Sequence, residues 1–497
     1  MIVLKKIGFD NEKYLRMQSE KIKERIDKFG GKLYLEFGGK LFDDLHASRV
    51  LPGFEPDSKM RMLIQLKDQA EIVFAINADD IEKNKVRGDL GITYDMDVLR
   101  LIDIFKSYGF YVGSVVLTQY AGQPSATKFM KKLDSLGIRN YKHYHIDGYP
   151  SKVSYIVSDE GFGKNEYVET ERELVVVTAP GPGSGKMAVC LSQLYHEHKR
   201  GISAGYAKYE TFPIWNIPLN HPVNLAYEAA TADLNDINMI DPYHFDAYNV
   251  QTVNYNRDVE IFPVLKAIFT QILGESPYKS PTDMGVNMSG YCITDGETVV
   301  RAAKDEIIRR YYSAICKKRK GASNDEEISK IEVLLEKAGT SIDDRKVMLA
   351  AKEKEEETHK FTAAVEMPDG KIITGKNSDL LAHTSAMLLN ALKYLGGIQD
   401  NILLISPVII EPLQKLKTEV LKSDTAHLSV KEVLTALSIC AATNPMAQHA
   451  LSQVTKLKGA EMHSTVILSY GDEKALKNLG LNITSDPVYE SAKLFQD

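Results

Sequence analysis

Gly181, Gly183, Ser184, Gly185 and Lys186 close the stretch LVVVTAPGPGSGK (174–186), and their types suit one task, the holding of an anion. That task takes backbone N–H groups converging on the ligand, glycines that let the chain come close, a helix N-terminus behind them and a cation. A β-branched run leads into this loop and MAVCLSQLYHEHK, an amphipathic helix by its pattern, leads out of it, so each requirement is met. The ordinary P-loop reads G-x-x-x-x-G-K-[ST]. Laid on this loop it aligns Gly185 and Lys186 but puts Pro180 at the first glycine and Met187 at the hydroxyl that binds magnesium. Pro180 and Pro182 stiffen the loop and remove two donors. A thioether does not ligate a hard cation, so any Mg2+ falls to Ser184 or to carboxylates further on. Three readings stand: a nucleotide triphosphate site, a site for another phosphate, carboxylate or phosphosugar, and a glycine turn with no ligand.

The carboxylates that follow are dense. Asp233, Asp236, Asp241 and Asp246 surround His244, and Asn254, Asn256, Arg257 and Asp258 come soon after. Asp236 and Asp241 are the candidate metal ligands and catalytic carboxylates, although caps and turns use the same residue types. His221–Asn235 reads as a helix with a polar stripe of Asn224, Glu228, Thr231 and Asn235 at i, i+4, i+7 and i+11. A solvated face would carry Lys and Glu, so the stripe reads as a pocket wall with Glu228 as a ligand contact. Lys40, Arg49 and Arg257 are further cations for an anionic ligand. With neither HExxH nor a CxxC pair, no zinc is expected, and no haem. His143 and His145 alternate on a strand and read as ordinary imidazoles; Cys190, one turn beyond Lys186, reads as a buried thiol.

These groups need elements to position them. Residues 1–150 alternate helix and strand: helices over 11–29, 57–69, 95–108 and 126–136, strands over 32–37, 71–76, 114–117 and 141–146. Such alternation implies parallel strands with right-handed crossovers, an open, mostly parallel, Rossmann-like or P-loop-like α/β sheet whose ligands gather at the carboxyl ends of the strands. Residues 152–158 and 166–171 read as a hairpin that delays the next core strand, 174–178. YAKYET (206–211) reads as a further strand and 280–296 as a loop. From 297 to 360 the chain is helical and highly charged, with KKRK at 317–320 beside acidic 325–327, the ends of two successive helices. A hairpin over TAAVEM-PDG-KIITGK opens a second α/β unit, which continues with helices near 380–394, 412–421, 430–440 and 446–457 and a strand at 464–469. Three domains follow: 1–296 with the loop, 297–360 as a helical insert or bundle, and 361–497 as a C-terminal α/β subdomain.

With 44% hydrophobic and 26% charged residues in 497, the chain has the composition of a globular protein able to bury several cores. A formal net charge of −6, without a basic face, argues against nucleic acid or an anionic membrane as partner. No signal peptide or membrane span is read, and four cysteines far apart suit reduced thiols, so the expected location is the cytoplasm.

The motifs TAPGPGSGKMAVCLSQLYHE, FDDLHASRVLPGFEPDSKM, HPVNLAYEAATADLNDINMIDP and NYNRDVEIFPVL make the chain resemble, over nearly its whole length, a bacterial family catalogued as a domain of unknown function. The resemblance implies a multidomain α/β protein with a P-loop-like element, a helical middle, a separate C-terminal α/β subdomain and self-association into a homo-oligomer. It carries no reaction. The residues lead to a cytosolic enzyme binding ATP or another nucleotide with Mg2+, an ATPase or phosphotransferase, in which Lys186 meets phosphate charge. The alternatives are a metabolic enzyme acting on a phosphorylated or carboxylated small molecule without NTP hydrolysis, and a ligand-sensing or scaffolding oligomer whose loop is structural.

Overall fold

The computed structural model describes residues 6–39, 41–42, 44–87 and 90–491. The chain divides into two compact units, Ile7–Ala303 and a second formed from Lys304 onward, and the division falls inside one helix, Gly296–Arg319.

In the first unit seven strands form one sheet: β1 (Leu33–Phe37), β2 (Ala70–Asn77), β3 (Tyr111–Tyr120), β4 (Arg139–Tyr144), β5 (Leu174–Thr178), β6 (Gly205–Tyr209) and β7 (Gly285–Val286). Their order is β7-β6-β1-β5-β2-β3-β4, and every neighbouring pair is parallel. A parallel sheet is covered on both faces, which is why β5 is apolar from Leu174 to Val177 and buried at every position. Phe105 of helix α1 (Tyr94–Ser107) packs edge-on against Phe74 of β2, ring centroids 5.8 Å apart. The alternate residues Val73 and Ala75 face the other way, into a core with Val189, Leu191 and Leu194 of helix α2 (Lys186–Lys199) and Phe262, Leu265 and Phe269 of helix α3 (Asn256–Leu273). The helices after β2 and β5 therefore cover opposite faces. The carboxyl end of β5, between β1 and β2, is a topological switch point, where open α/β sheets form a crevice.

The expected hairpin over 152–171 does not form. Val153–Ile156 is a helical turn, Phe162–Lys164 a 3-10 turn, and Gly161 sits where a Cβ would come within 2.3 Å of the Tyr155 and Ile156 carbonyls. The backbone of the second half is satisfied elsewhere. Glu166 N donates to Lys142 O, Val168 exchanges two hydrogen bonds with the Gln193 amide, and Glu171 N donates to Glu71 Oε2 at 2.6 Å. With its polar groups met by side chains and the edge of β4, the segment has no need of a strand partner. The short edge strand β7, in the expected loop 280–296, pairs only with β6.

The charged segment is three helices, Gly296–Arg319, Asp325–Ala338 and Lys346–Thr358. Lys318 pairs with Asp325 and Lys317 with Glu327 at 3.6 Å, so the basic and acidic runs neutralise each other across the turn. The second unit also holds a four-stranded sheet, β8 (Thr362–Glu366), β9 (Ile372–Lys376), β10 (Glu461–Ser464) and β11 (Asn482–Ser485), in the order β9-β8-β10-β11. The hairpin β8/β9 is as expected. β10 ends at the residue where the expected strand begins, because the Ser464 hydroxyl donates to Val466 O at 2.7 Å and turns the chain. No described helix is long and apolar enough to cross a membrane.

Candidate functional site

The glycines of the 181–185 loop have three separate reasons to be glycine. Gly183 and Gly185 have φ of +76° and +85°, the left-handed region. Gly181 lies against Tyr94, where a Cβ would come within 2.3 Å of the phenol oxygen. Gly185 caps α2, of which Lys186 is the first residue. Ser184 is fully buried and its hydroxyl donates to Gly181 O at 2.9 Å, while its carbonyl accepts from Thr118 Oγ1 at 2.9 Å. Its side chain therefore braces the loop and ties it to the end of β3. The backbone N–H groups of residues 183 to 188 donate no hydrogen bond within the described residues, and Lys186 has neither a hydrogen bond nor an ion pair there. Gly38, just beyond β1, comes so close to Lys186 that a Cβ there would stand 3.9 Å from its Cε.

One strand over lies a cluster of charged groups that sequence reasoning did not single out. Glu36 on β1 is opposite Lys208 on β6 and accepts from Tyr206 OH at 2.7 Å. The Lys208 ammonium donates to Asp258 Oδ2 and Tyr255 OH and stands 3.0 Å from Glu210 Oε1. Asp258 and Tyr255 arrive at the N-terminus of α3, which covers the same face as α2. Burial pushes the Glu210 carboxyl up, the Lys208 ammonium pulls it back and Asp258 pushes it up again, leaving it at about 7. Glu210 Oε2 and Trp215 Nε1 are buried with no hydrogen-bond partner among the described residues, and both flank Gly285, where a Cβ would lie 3.0 Å from the former and 2.5 Å from the Trp215 ring. A signal for this cluster was present in YAKYET: Lys208 and Glu210 alternate on one face of a strand that a parallel sheet buries on both sides.

The predicted residues are distributed as follows. Asp236 and Arg257 form a two-pronged ion pair, Nη2 to Oδ2 at 2.6 Å and Nε to Oδ1 at 2.5 Å. Asp241 is fully buried and caps the helix Pro242–Tyr248, accepting from His244 N at 3.0 Å through one oxygen and from Thr282 Oγ1 at 2.6 Å and Thr282 N at 3.2 Å through the other. The two carboxylates thus have separate structural partners, and among the described residues no group of three or more His, Cys, Asp or Glu is placed to share a metal ion. Glu228 accepts from Asn238 N at 3.2 Å. Asn224, on the expected pocket wall, instead pins the Pro213-Ile214 segment by bonding both Ile214 N and Ile214 O. Arg49 is on the helix Leu45–Val50 beyond β1, and Lys40 lies outside the described residues. Tyr227, stacked on Phe212 with centroids 5.4 Å apart, links the two groups of charges: burial first, then the field of Asp236 beside Glu210 and Asp258, raises its phenol against the pull of Lys208. His143 and His145 form no pair; His143 Nε2 meets Glu166 O, and His145 Nδ1 meets Gln119 Oε1 at 2.7 Å. Cys190 is buried, and burial followed by the Glu36 charge pushes its thiol well up, which suppresses the nucleophilic thiolate.

At the switch point, then, stand N–H groups and a lysine that have no partner among the described residues, and across β1 stands the buried Glu210 carboxyl beside Lys208.

The family described as "Domain of unknown function DUF1846, N-terminal" matches residues 7–339, and its C-terminal counterpart matches residues 343–495. A UPF0371 protein of Streptococcus thermophilus (strain CNRZ 1066) is 54% identical over 493 residues, covering 99% of this chain and 100% of the relative. A UPF0371 protein of Streptococcus pneumoniae (strain JJA) is similar to the same extent, 54% identical over 493 residues and with the same shares covered.

Proposed function

The chain belongs to the DUF1846 family along both of its domains, and from that premise we propose that it is an enzyme acting on a phosphorylated small molecule seated on the loop after β5. The observation that carries this reading is the row of N–H groups from residue 183 to 188 that have no acceptor among the described residues, beside a lysine that has no partner among them. Lys186 supplies the countercharge and the amides of Gly183 and Gly185, which unlike that of the buried Ser184 reach the surface, hold the oxygens. Nucleotides are within this ligand class. Hydrolysis of a Mg2+–nucleotide is the less favoured chemistry, since Met187 offers no hard donor and Asp236 and Asp241 are engaged with Arg257 and Thr282. A cytoplasmic location belongs to the same proposal and is supported by the four free cysteines.

The test is thermal unfolding with inorganic phosphate, sugar phosphates and ATP, each with and without Mg2+. A phosphate ester at a hundredfold its Kd is expected to stabilise the protein by about 2.7 kcal/mol, a rise of a few degrees in Tm. Lys186→Ala is expected to weaken that ligand by roughly ten- to a hundredfold, the worth of a charged hydrogen bond. Identical responses of the variant and the native protein would remove Lys186 and the loop from the reading.

A further inference from the structure

Glu36 stands where a ligand seated on the loop after β5 would continue. β1 carries it between Val177 of β5 and Lys208 of β6, near the carboxyl end of the sheet. Tyr34, two residues earlier, belongs to the core shared with α2 and α3, so Glu36 and then Gly38 lie on that same face. Lys186, the first residue of α2, comes up against Gly38 there. At a rise of about 3.3 Å per residue, Glu36 is roughly 7 Å back along β1 from that contact. The Cys190 thiol senses both groups: after burial, the Glu36 charge raises it most and the Lys186 charge lowers it.

The sheet opens at this carboxylate. Glu36 is half-buried, whereas Leu35, Phe37 and Val177 around it are fully buried. Its Oε2 accepts from Tyr206 OH at 2.7 Å, which fixes the group, and its Oε1 has no donor among the described residues. Lys208, directly opposite, turns its ammonium to Asp258, Tyr255 and Glu210 instead. A ligand that displaces water from such an oxygen must bring a donor of its own or lose affinity. The fitting donor is neutral, because Lys186 and Lys208 already flank Glu36: an ammonium on the ligand would be repelled by both, and a hydroxyl adds no charge.

We propose that the phosphate ester seated at Lys186 is that of a sugar or polyol, and that Glu36, held by Tyr206, reads a hydroxyl a few carbons away from the phosphate. This rests on the reading of the loop as a phosphate seat and adds the class of ester. Glu36 then sets specificity, while Tyr206 acts through it as a positioning residue.

Isothermal titration calorimetry of the full chain with butyl phosphate, glycerol 3-phosphate, ribose 5-phosphate, glucose 6-phosphate and ATP tests this. At least one hydroxylated ester is expected to bind about tenfold or more tighter than butyl phosphate, the discrimination of a site built to hydrogen-bond a hydroxyl. Glu36→Gln should cut that preference about tenfold and leave butyl phosphate unaffected, since an amide oxygen still accepts from Tyr206 but lacks the charge. Tyr206→Phe, which loosens Glu36, should lower the preference in the same direction and by less. Lys186→Ala should weaken every phosphate probe and preserve their ratios. Melting curves check that each variant folds. Equal affinity for butyl phosphate and the hydroxylated esters, or a preference that survives Glu36→Gln, overturns the role of Glu36 while Lys186-dependent binding keeps the loop reading. Binding of ATP alone overturns the sugar class. Absence of Lys186-dependent binding by every probe removes the loop reading and this inference with it.

Discussion

Lys208→Met will cost the Ile7–Ala303 unit about 3–5 kcal/mol, the usual result of removing one partner from a buried ion pair. The ammonium is the only cation in contact with Glu210 and Asp258 in the described structure, and the three side chains are 14%, 4% and 10% exposed. Without it two carboxylates face each other out of water. The loss should depend on pH, and its sign follows from the acids. Glu210 already titrates at about 7; with Lys208 gone its folded value rises further above the unfolded one. An acid whose folded pKa is raised binds more protons folded than unfolded, so stability falls as pH rises from about 4.5 through the folded value. The variant should therefore be closest to the native protein near pH 5 and furthest from it near pH 8, read as urea midpoints at both. Adding Glu210→Gln should recover part of the loss at pH 8. A deficit below about 1 kcal/mol, the worth of an exposed pair, would mean that water reaches the cluster.

The second unit carries the other large electrostatic effect. Glu461 accepts from Arg309 Nη1 at 2.8 Å and Asn482 Nδ2 at 2.8 Å through one oxygen and from Arg345 Nη1 at 2.8 Å through the other. Arg345 also donates to Thr484 Oγ1 at 2.7 Å and Met462 O at 2.8 Å, joining β10 to β11. Burial alone would raise the Glu461 carboxyl, but the two guanidinium groups outweigh it and hold it at about 2. A depressed acid stabilises the fold above its unfolded pKa and loses that contribution as pH falls through the folded one. The contribution is about 3 kcal/mol, complete above about pH 5 and largely gone by pH 2. Glu461→Gln should accordingly cost several kcal/mol at pH 7 and far less at pH 2.5, by denaturant unfolding monitored on the second unit. An equal cost at both pH values would show that the carboxylate charge contributes nothing.

The sheet was legible because parallel strands are apolar on both faces: LVVVT and EIVFAI leave no alternative, and the helices between them keep a regular period. The hairpin over 152–171 was misread because its backbone is satisfied by Gln193 and Glu71, which come from distant segments and carry no local signature. The loop at 181–185 was legible from its glycines, whose left-handed backbone and close approach to Tyr94 are local demands. Asp236 and Asp241 show the limit of composition. A run of acids reads alike whether it faces a ligand, an arginine or a helix end, and only the packing of Arg257 and Thr282 decides. Glu36, Lys208 and Glu210 escaped notice for the opposite reason, since single charges inside apolar strands look like ordinary edge residues until the strand is placed inside the sheet.

That placement sets an order in time. β1, the first strand made, pairs only with β5 and β6, which begin at residues 174 and 205. While the ribosome works through everything between, β1 has both edges open, and β2, β3 and β4 can pair among themselves but not with it. Long-range parallel pairing of this kind is slow and leaves sticky edges exposed. A nascent chain stalled before residue 174 should therefore lack the centre of its sheet, and release of the loop after β5 from the exit tunnel should coincide with the step that completes it.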